Sequence, residues 1–252
     1  MLKVPLAREA YLLSAYGENE MPFKRIKDKI LKNPVGNRYI NDAKFRTEVS
    51  VNASLCFNLF YIIVNMVSYF LYHSMWFVVL AVYYIILVIM RFLLSSYIRA
   101  KGIGNNRLGE LLRAKLCAYI LLTVNVALSG AVLMILYQNK GFEYHGILIY
   151  AMATYTFTIT TVAIVNLVRY RKYNSPVMTI TKIITLSAAL VSMLSLETAM
   201  FSQFGGDMSP EGQYLMIALT GAGVSITIIS MSIYMITRTN REIKLRRNKN
   251  GQ

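Results

Sequence analysis

Few side chains in this sequence could do chemistry inside apolar surroundings, and the most deeply placed acid is Glu197, within the run Val177 to Phe204. An ionisable residue in a membrane span is a candidate ligand for a substrate or ion by default. Glu197 lies about two turns from Gly205-Gly206, so its carboxylate could also reach headgroups, Tyr137, His145, the last loop or a second subunit. Amides form the next group. Asn58 and Asn65 are seven apart and share a helix face, and Asn125 lies in a later apolar run. Hydroxyls follow at Thr154, Thr158 and Thr161. Asn58, Asn65, Asn125, Thr154, Thr158 and Glu197 are the candidate lining of a solute or ion pathway. The alternative is structural, since buried amides bond neighbouring helices and threonine returns its hydroxyl to the helix carbonyls.

Catalytic and metal-binding signatures are missing. The sequence contains no H-E-x-x-H, no G-x-S-x-G, no CxxC and no paired intramembrane aspartates, so no enzyme, cofactor or metal site is expected. Cys56 and Cys117 read as free, buried thiols. His73 at a helix end reads as an exposed interfacial histidine. Glu143 and His145, with Asp207 and Glu211, could meet a cation at the outer surface, although nothing in their spacing fixes the geometry.

The elements that position these residues are membrane helices. Of 252 residues 56% are hydrophobic and only 15% charged, with a positive mean hydropathy, which excludes an ordinary soluble domain. Apolar runs at Val51 to Tyr72, Met75 to Leu94, Leu116 to Tyr137, Ile147 to Val168, Val177 to Phe204 and Tyr214 to Thr237 predict six spans. The expected fold is an all-α integral membrane protein, a six-transmembrane-helix bundle occupying residues 51–237. All but one of the 27 basic residues, Lys140, fall in segments on one side of these spans, so the positive-inside rule puts both termini in the cytoplasm. The net charge of +15 then follows from topology and attraction to anionic headgroups, and nucleic acid is not an expected partner. No signal peptide is expected, and the charge asymmetry suits a cell membrane of the bacterial inner-membrane type.

Residues 1–50 are too polar for a span. In PFKRIKDKILKN, Phe23, Ile26, Ile30 and Leu31 share one face while Lys24, Arg25, Lys27, Lys29 and Lys32 occupy the rest. This is an amphipathic helix suited to the membrane surface or to a cytoplasmic protein partner. RAKGIGNNRLGELLRAK, between the second and third spans, reads as a glycine-rich solvated loop that matches no phosphate-binding motif. Residues 238–252 read as a basic cytoplasmic tail that frays.

Packing signals are clearest in the fifth span, where Thr181, Thr185, Ala188, Ser192, Ser195 and Ala199 make a small-residue stripe. Gly221 and Ser225, with Ala218 and Ala222, give the sixth span small-x-x-x-small pairs. These faces also allow a homodimer. The first two spans form a tight hairpin through Tyr72 to Ser74, with Tyr72, His73 and Trp76 expected in an interfacial belt.

The hairpin is followed by Ser74-Met75-Trp76-Phe77-Val78-Val79-Leu80-Ala81-Val82-Tyr83-Tyr84-Ile85-Ile86-Leu87, which resembles the second helix of cation diffusion facilitators. Ser74 and Ala81 fall on the family's serine and alanine. Leu80, Tyr83 and Leu87 stand where the family has Asp, His and Asp, and in the fifth helix Ile184 and Ala188 stand where it has His and Asp. The resemblance implies a six-helix transporter, usually a homodimer, but one unable to build the family's metal site. The resulting expectation is a membrane module with this kind of bundle that interacts with protein or lipid. The alternative is a secondary transporter of a cation or small polar solute.

Overall fold

Six helices contain the six apolar runs: α1 (Ala43–Tyr72), α2 (Met75–Lys101), α3 (Arg107–Gln138), α4 (Gly146–Arg169), α5 (Pro176–Phe204) and α6 (Pro210–Asn250). The computed structural model describes residues 34, 37, 43–102, 105–138, 146–169, 175–204 and 209–250. The fold is all-α. By length and composition α1, α2, α3, α5 and α6 are long and apolar enough to cross a membrane, and the described apolar stretch of α4 is Ile149–Val165. The chain divides into two compact units, Met1–Val51 and Asn52–Gln252. In the first, the described residues include the start of α1; the Lys24 to Lys32 segment lies outside the described residues.

Helices extend past their apolar runs wherever the flanking residues are good helix formers. The supposed loop between the second and third spans is mostly helix, because its Arg, Lys, Leu and Glu residues continue α2 to Lys101 and start α3 at Arg107. Gly102 ends α2 at φ 71°, a conformation that disfavours a Cβ, and donates its N–H to the Ile98 carbonyl at 2.9 Å. Asn106 then caps α3, its Oδ1 accepting from the Gly109 N–H at 3.0 Å. Tyr97 donates its hydroxyl to the Asn106 carbonyl at 3.0 Å, tying the end of α2 to the start of α3.

The same end of the bundle is joined by charged groups. Ser175, before α5, donates to the buried Glu110 carboxylate of α3 at 2.7 Å. Glu242 of α6 pairs with Arg107 at 3.1 Å and Arg238 at 3.5 Å. Helix α6 runs to Asn250, so the basic segment after Thr237 continues it.

The core is organised around α5, with 17 of its 29 residues buried. Thr185, Ala188, Ser192, Ser195 and Ala199 of the small stripe are all buried, and Thr181 is half-buried. Short side chains let α2, α3, α4 and α6 all pack against it. Backbones approach closely between α3 and α6, where a Cβ on Gly221 would meet Val132 Cγ1 at 3.2 Å and Leu194 Cδ1 at 3.8 Å. Ser225 follows one turn later in the same seam, whereas Ala222 is exposed.

Trp76, expected in an interfacial belt, is buried because it continues the buried face of α2, and of the two cysteines expected to be buried Cys117 is buried and Cys56 is exposed. His73 is exposed, as expected, and turns the chain at φ 50°.

Candidate functional site

Along α2, buried side chains recur in alternating steps of three and four: Phe77, Leu80, Tyr84, Leu87, Arg91, Leu94 and Ile98. This 3.5-residue rhythm presents one seam to the bundle. Arg91 belongs to it. The residue is 2% exposed and is the bulkiest of the fully buried side chains. It lies roughly 5 Å along the axis from the middle of the apolar span Met75–Ala100, at 1.5 Å per residue. Arginines near the ends of membrane helices ordinarily extend their stems toward headgroups. Here the guanidinium stays inside.

Tyr155, Tyr84 and Tyr83 lie near it, in a cluster of tyrosines. Tyr61 of α1 stacks on Tyr155 of α4 with centroids 4.0 Å apart, and Tyr84 of α2 meets both edge-on at 4.7 and 5.8 Å. Tyr83 lies edge-on to Tyr84 at 5.6 Å. The phenols have fixed partners at the rim: Tyr61 donates to Ser195 Oγ at 3.1 Å, Tyr84 to the Ala188 carbonyl at 2.9 Å and Tyr155 to Asn58 Oδ1 at 2.8 Å. The small stripe of α5 is what lets these rings reach its backbone. Four helices thus meet through tyrosines, and Arg91 interacts electrostatically with Tyr155, Tyr84 and Tyr83.

Inside this frame several donors are unmet. Nε, Nη1 and Nη2 of Arg91, Nδ2 of Asn58 and the hydroxyl of Tyr83 are buried without a hydrogen-bond partner among the described residues. Burying one polar group unpaired costs about 1–3 kcal/mol, and an uncompensated charge costs more. A buried cluster that is rich in donors and carries one positive charge suits solutes whose oxygens accept hydrogen bonds.

The residues singled out from sequence separate into different places. Asn58 belongs to the tyrosine cluster, and Asn65, also buried, donates to the Tyr61 carbonyl at 2.8 Å. Asn125 does not join them. It donates to the Ser225 carbonyl of α6 at 3.2 Å, beside Ser129, whose hydroxyl lies 2.9 Å from Ser225 Oγ. Thr154 is exposed and Thr158 half-buried, and they return their hydroxyls to the Tyr150 and Thr154 carbonyls at 2.8 and 2.7 Å, as Thr161 does to Phe157 at 2.8 Å. The threonine that faces the α5 stripe is Thr156, which donates to the Ser192 carbonyl at 3.2 Å. Glu197 is half-buried and accepts from the Thr220 hydroxyl of α6 at 3.0 Å. Glu143, His145, Asp207 and the side chain of Tyr137 lie outside the described residues.

Arg91 is the residue that the spacing could have revealed. It stands seven residues after Tyr84 and four after Leu87, on the seam. Counting it with the basic residues that run from Arg91 to Lys115 assigns it to the loop charges instead.

The chain is therefore a multi-pass helical membrane protein. No family model, curated protein or solved structure matches it, so the likeness to cation diffusion facilitators finds no support there. The five positions aligned with that family's ligands, Leu80, Tyr83, Leu87, Ile184 and Ala188, are buried in the core. Among the described residues no three of His, Cys, Asp and Glu come together in a form that could hold a metal ion.

Proposed function

We propose that this membrane protein binds a small polar solute within its bundle and passes it across the bilayer, in a transporter-type role without catalysis. The observation that carries the reading is the buried Arg91 guanidinium, near mid-span on α2 and without a hydrogen-bond partner among the described residues. Ionisable residues at that depth mark solute pathways more often than they serve packing alone. The positive charge disfavours a cation beside it, so of the solutes expected from sequence the polar one is preferred.

A second reading has its own support. Arg241, Lys244, Arg246 and Arg247 are exposed on the far end of α6, and such a basic helix at a cytoplasmic surface would meet anionic headgroups or an acidic protein. On that reading the bundle is an anchor.

Counterflow in proteoliposomes tests the first reading. Vesicles loaded with a mixture of small acids, amides, sugars and amines should accumulate the labelled form of at least one of them faster than protein-free vesicles. Equal rates for every class would reject transport and leave the docking role.

A further inference from the structure

We infer that the Arg91 cluster recognises the carboxylate of a small monoanionic solute. The inference rests on the solute-binding reading above and narrows it to a chemical class. Three observations carry it. The guanidinium keeps Nε, Nη1 and Nη2 without a hydrogen-bond partner among the described residues, and two parallel N–H groups match the spacing of two carboxylate oxygens. Beyond Arg91, Asn58 Nδ2 and the Tyr83 hydroxyl are also unmet, so further donors are available to oxygens of the same solute. Finally, the phenols of Tyr155, Tyr84 and Tyr83 lie near enough to interact with the Arg91 charge, and among the described residues no carboxylate pairs with it.

Charge and depth narrow the ligand. One buried cation is neutralised by one negative charge, whereas a phosphate dianion would leave a net charge in the bundle, where desolvation is costly. Among the described residues the other buried charged side chain, Glu110, is engaged with Ser175 at the start of α5. Near mid-span, Arg91 is too deep for a lipid headgroup to reach from the surface. A free solute fits both conditions.

The test is the thermal unfolding of the purified full-length protein, with sodium acetate, propionate, chloride, inorganic phosphate and the neutral isostere acetamide as separate probes. Acetate or propionate should raise Tm by about 5 °C or more at saturation, with acetamide and phosphate giving much less. In Arg91→Gln the carboxylate effect should vanish. Arg91→Lys, which keeps the charge but lacks the fork, should need at least about tenfold more acetate. Equilibrium dialysis of labelled acetate reads the same loss directly if a variant's unfolding is altered.

Carboxylate stabilisation that survives in Arg91→Gln would overturn the assignment, as would equal effects from acetate and acetamide, or from acetate and chloride. A larger effect from phosphate would overturn the monoanion, and no carboxylate effect at all would overturn the inference. A neutral solute that stabilises wild type and Arg91→Gln alike would sink the carboxylate but leave the solute-binding reading standing.

Discussion

The tyrosine cluster around Arg91 and the seam between α3 and α6 use the same kind of residue for opposite ends. In the seam, Asn125, Ser129 and Ser225 bond across two helices that already touch at Gly221. Beside Arg91, tyrosines tie α1, α2, α4 and α5 together, and the charged donor has no hydrogen-bond partner among the described residues. An asparagine in a membrane helix therefore says little alone. What separates adhesive from site is whether the donors on its neighbours are used up.

The largest expected effect bears on the seam. Gly221→Leu should lower unfolding stability by about 1–3 kcal/mol, because Val132 must move to admit even the first carbon. Denaturant unfolding in mild detergent would read it, and an unchanged midpoint would mean that α3 and α6 are not packed this closely.

The tyrosine rim should be worth less per bond. A double-mutant cycle of Tyr61→Phe and Ser195→Ala should show a coupling of about 0.6 kcal/mol, with about 1.7 as the ceiling seen for hydrogen bonds between membrane helices. Zero coupling would detach α1 from α5 and remove one wall of the cluster. Smaller again is the Arg107–Glu242 pair, whose side chains are 24% and 27% exposed. Its coupling should fall between about 0 and 1 kcal/mol and shrink in 1 M salt. Thr154→Val should change stability by no more than about 0.5 kcal/mol, since the hydroxyl only returns to its own helix. A loss of solute binding in that variant would move the site toward α4's exposed face and break the comparison.

Sequence showed the spans and the packing stripe of α5 because both are periodic, and periodicity survives without knowledge of neighbours. Helix ends were harder to read. Charged residues that form helix well looked like loop in RAKGIGNNRLGELLRAK and like a fraying tail after Thr237, where Tyr97–Asn106 and Arg107–Glu242 supply the missing constraint. Site residues depended on rotation of one helix against another, which no single run specifies. Thr154, Thr156 and Thr158 are alike in sequence, and only the rotation of α4 against α5 brings Thr156 to the Ser192 carbonyl. Glu197 finds Thr220 because of the relative depth of α5 and α6, and Arg91 was hidden by its closeness to the basic segment, although its place on the seam with Tyr84 and Leu87 was legible.

The most direct measurement compares the unfolding free energies of Arg91→Met and Ser225→Ala with wild type, in protein stripped of small solutes. If Arg91 is kept for a ligand, replacing a buried unpaired charge by an apolar side chain should leave stability unchanged or raise it, while Ser225→Ala lowers it by about 0.6 kcal/mol. A loss of about 3–5 kcal/mol in Arg91→Met, the mark of a broken buried ion pair, would show that Arg91 holds the fold together and would contradict the account.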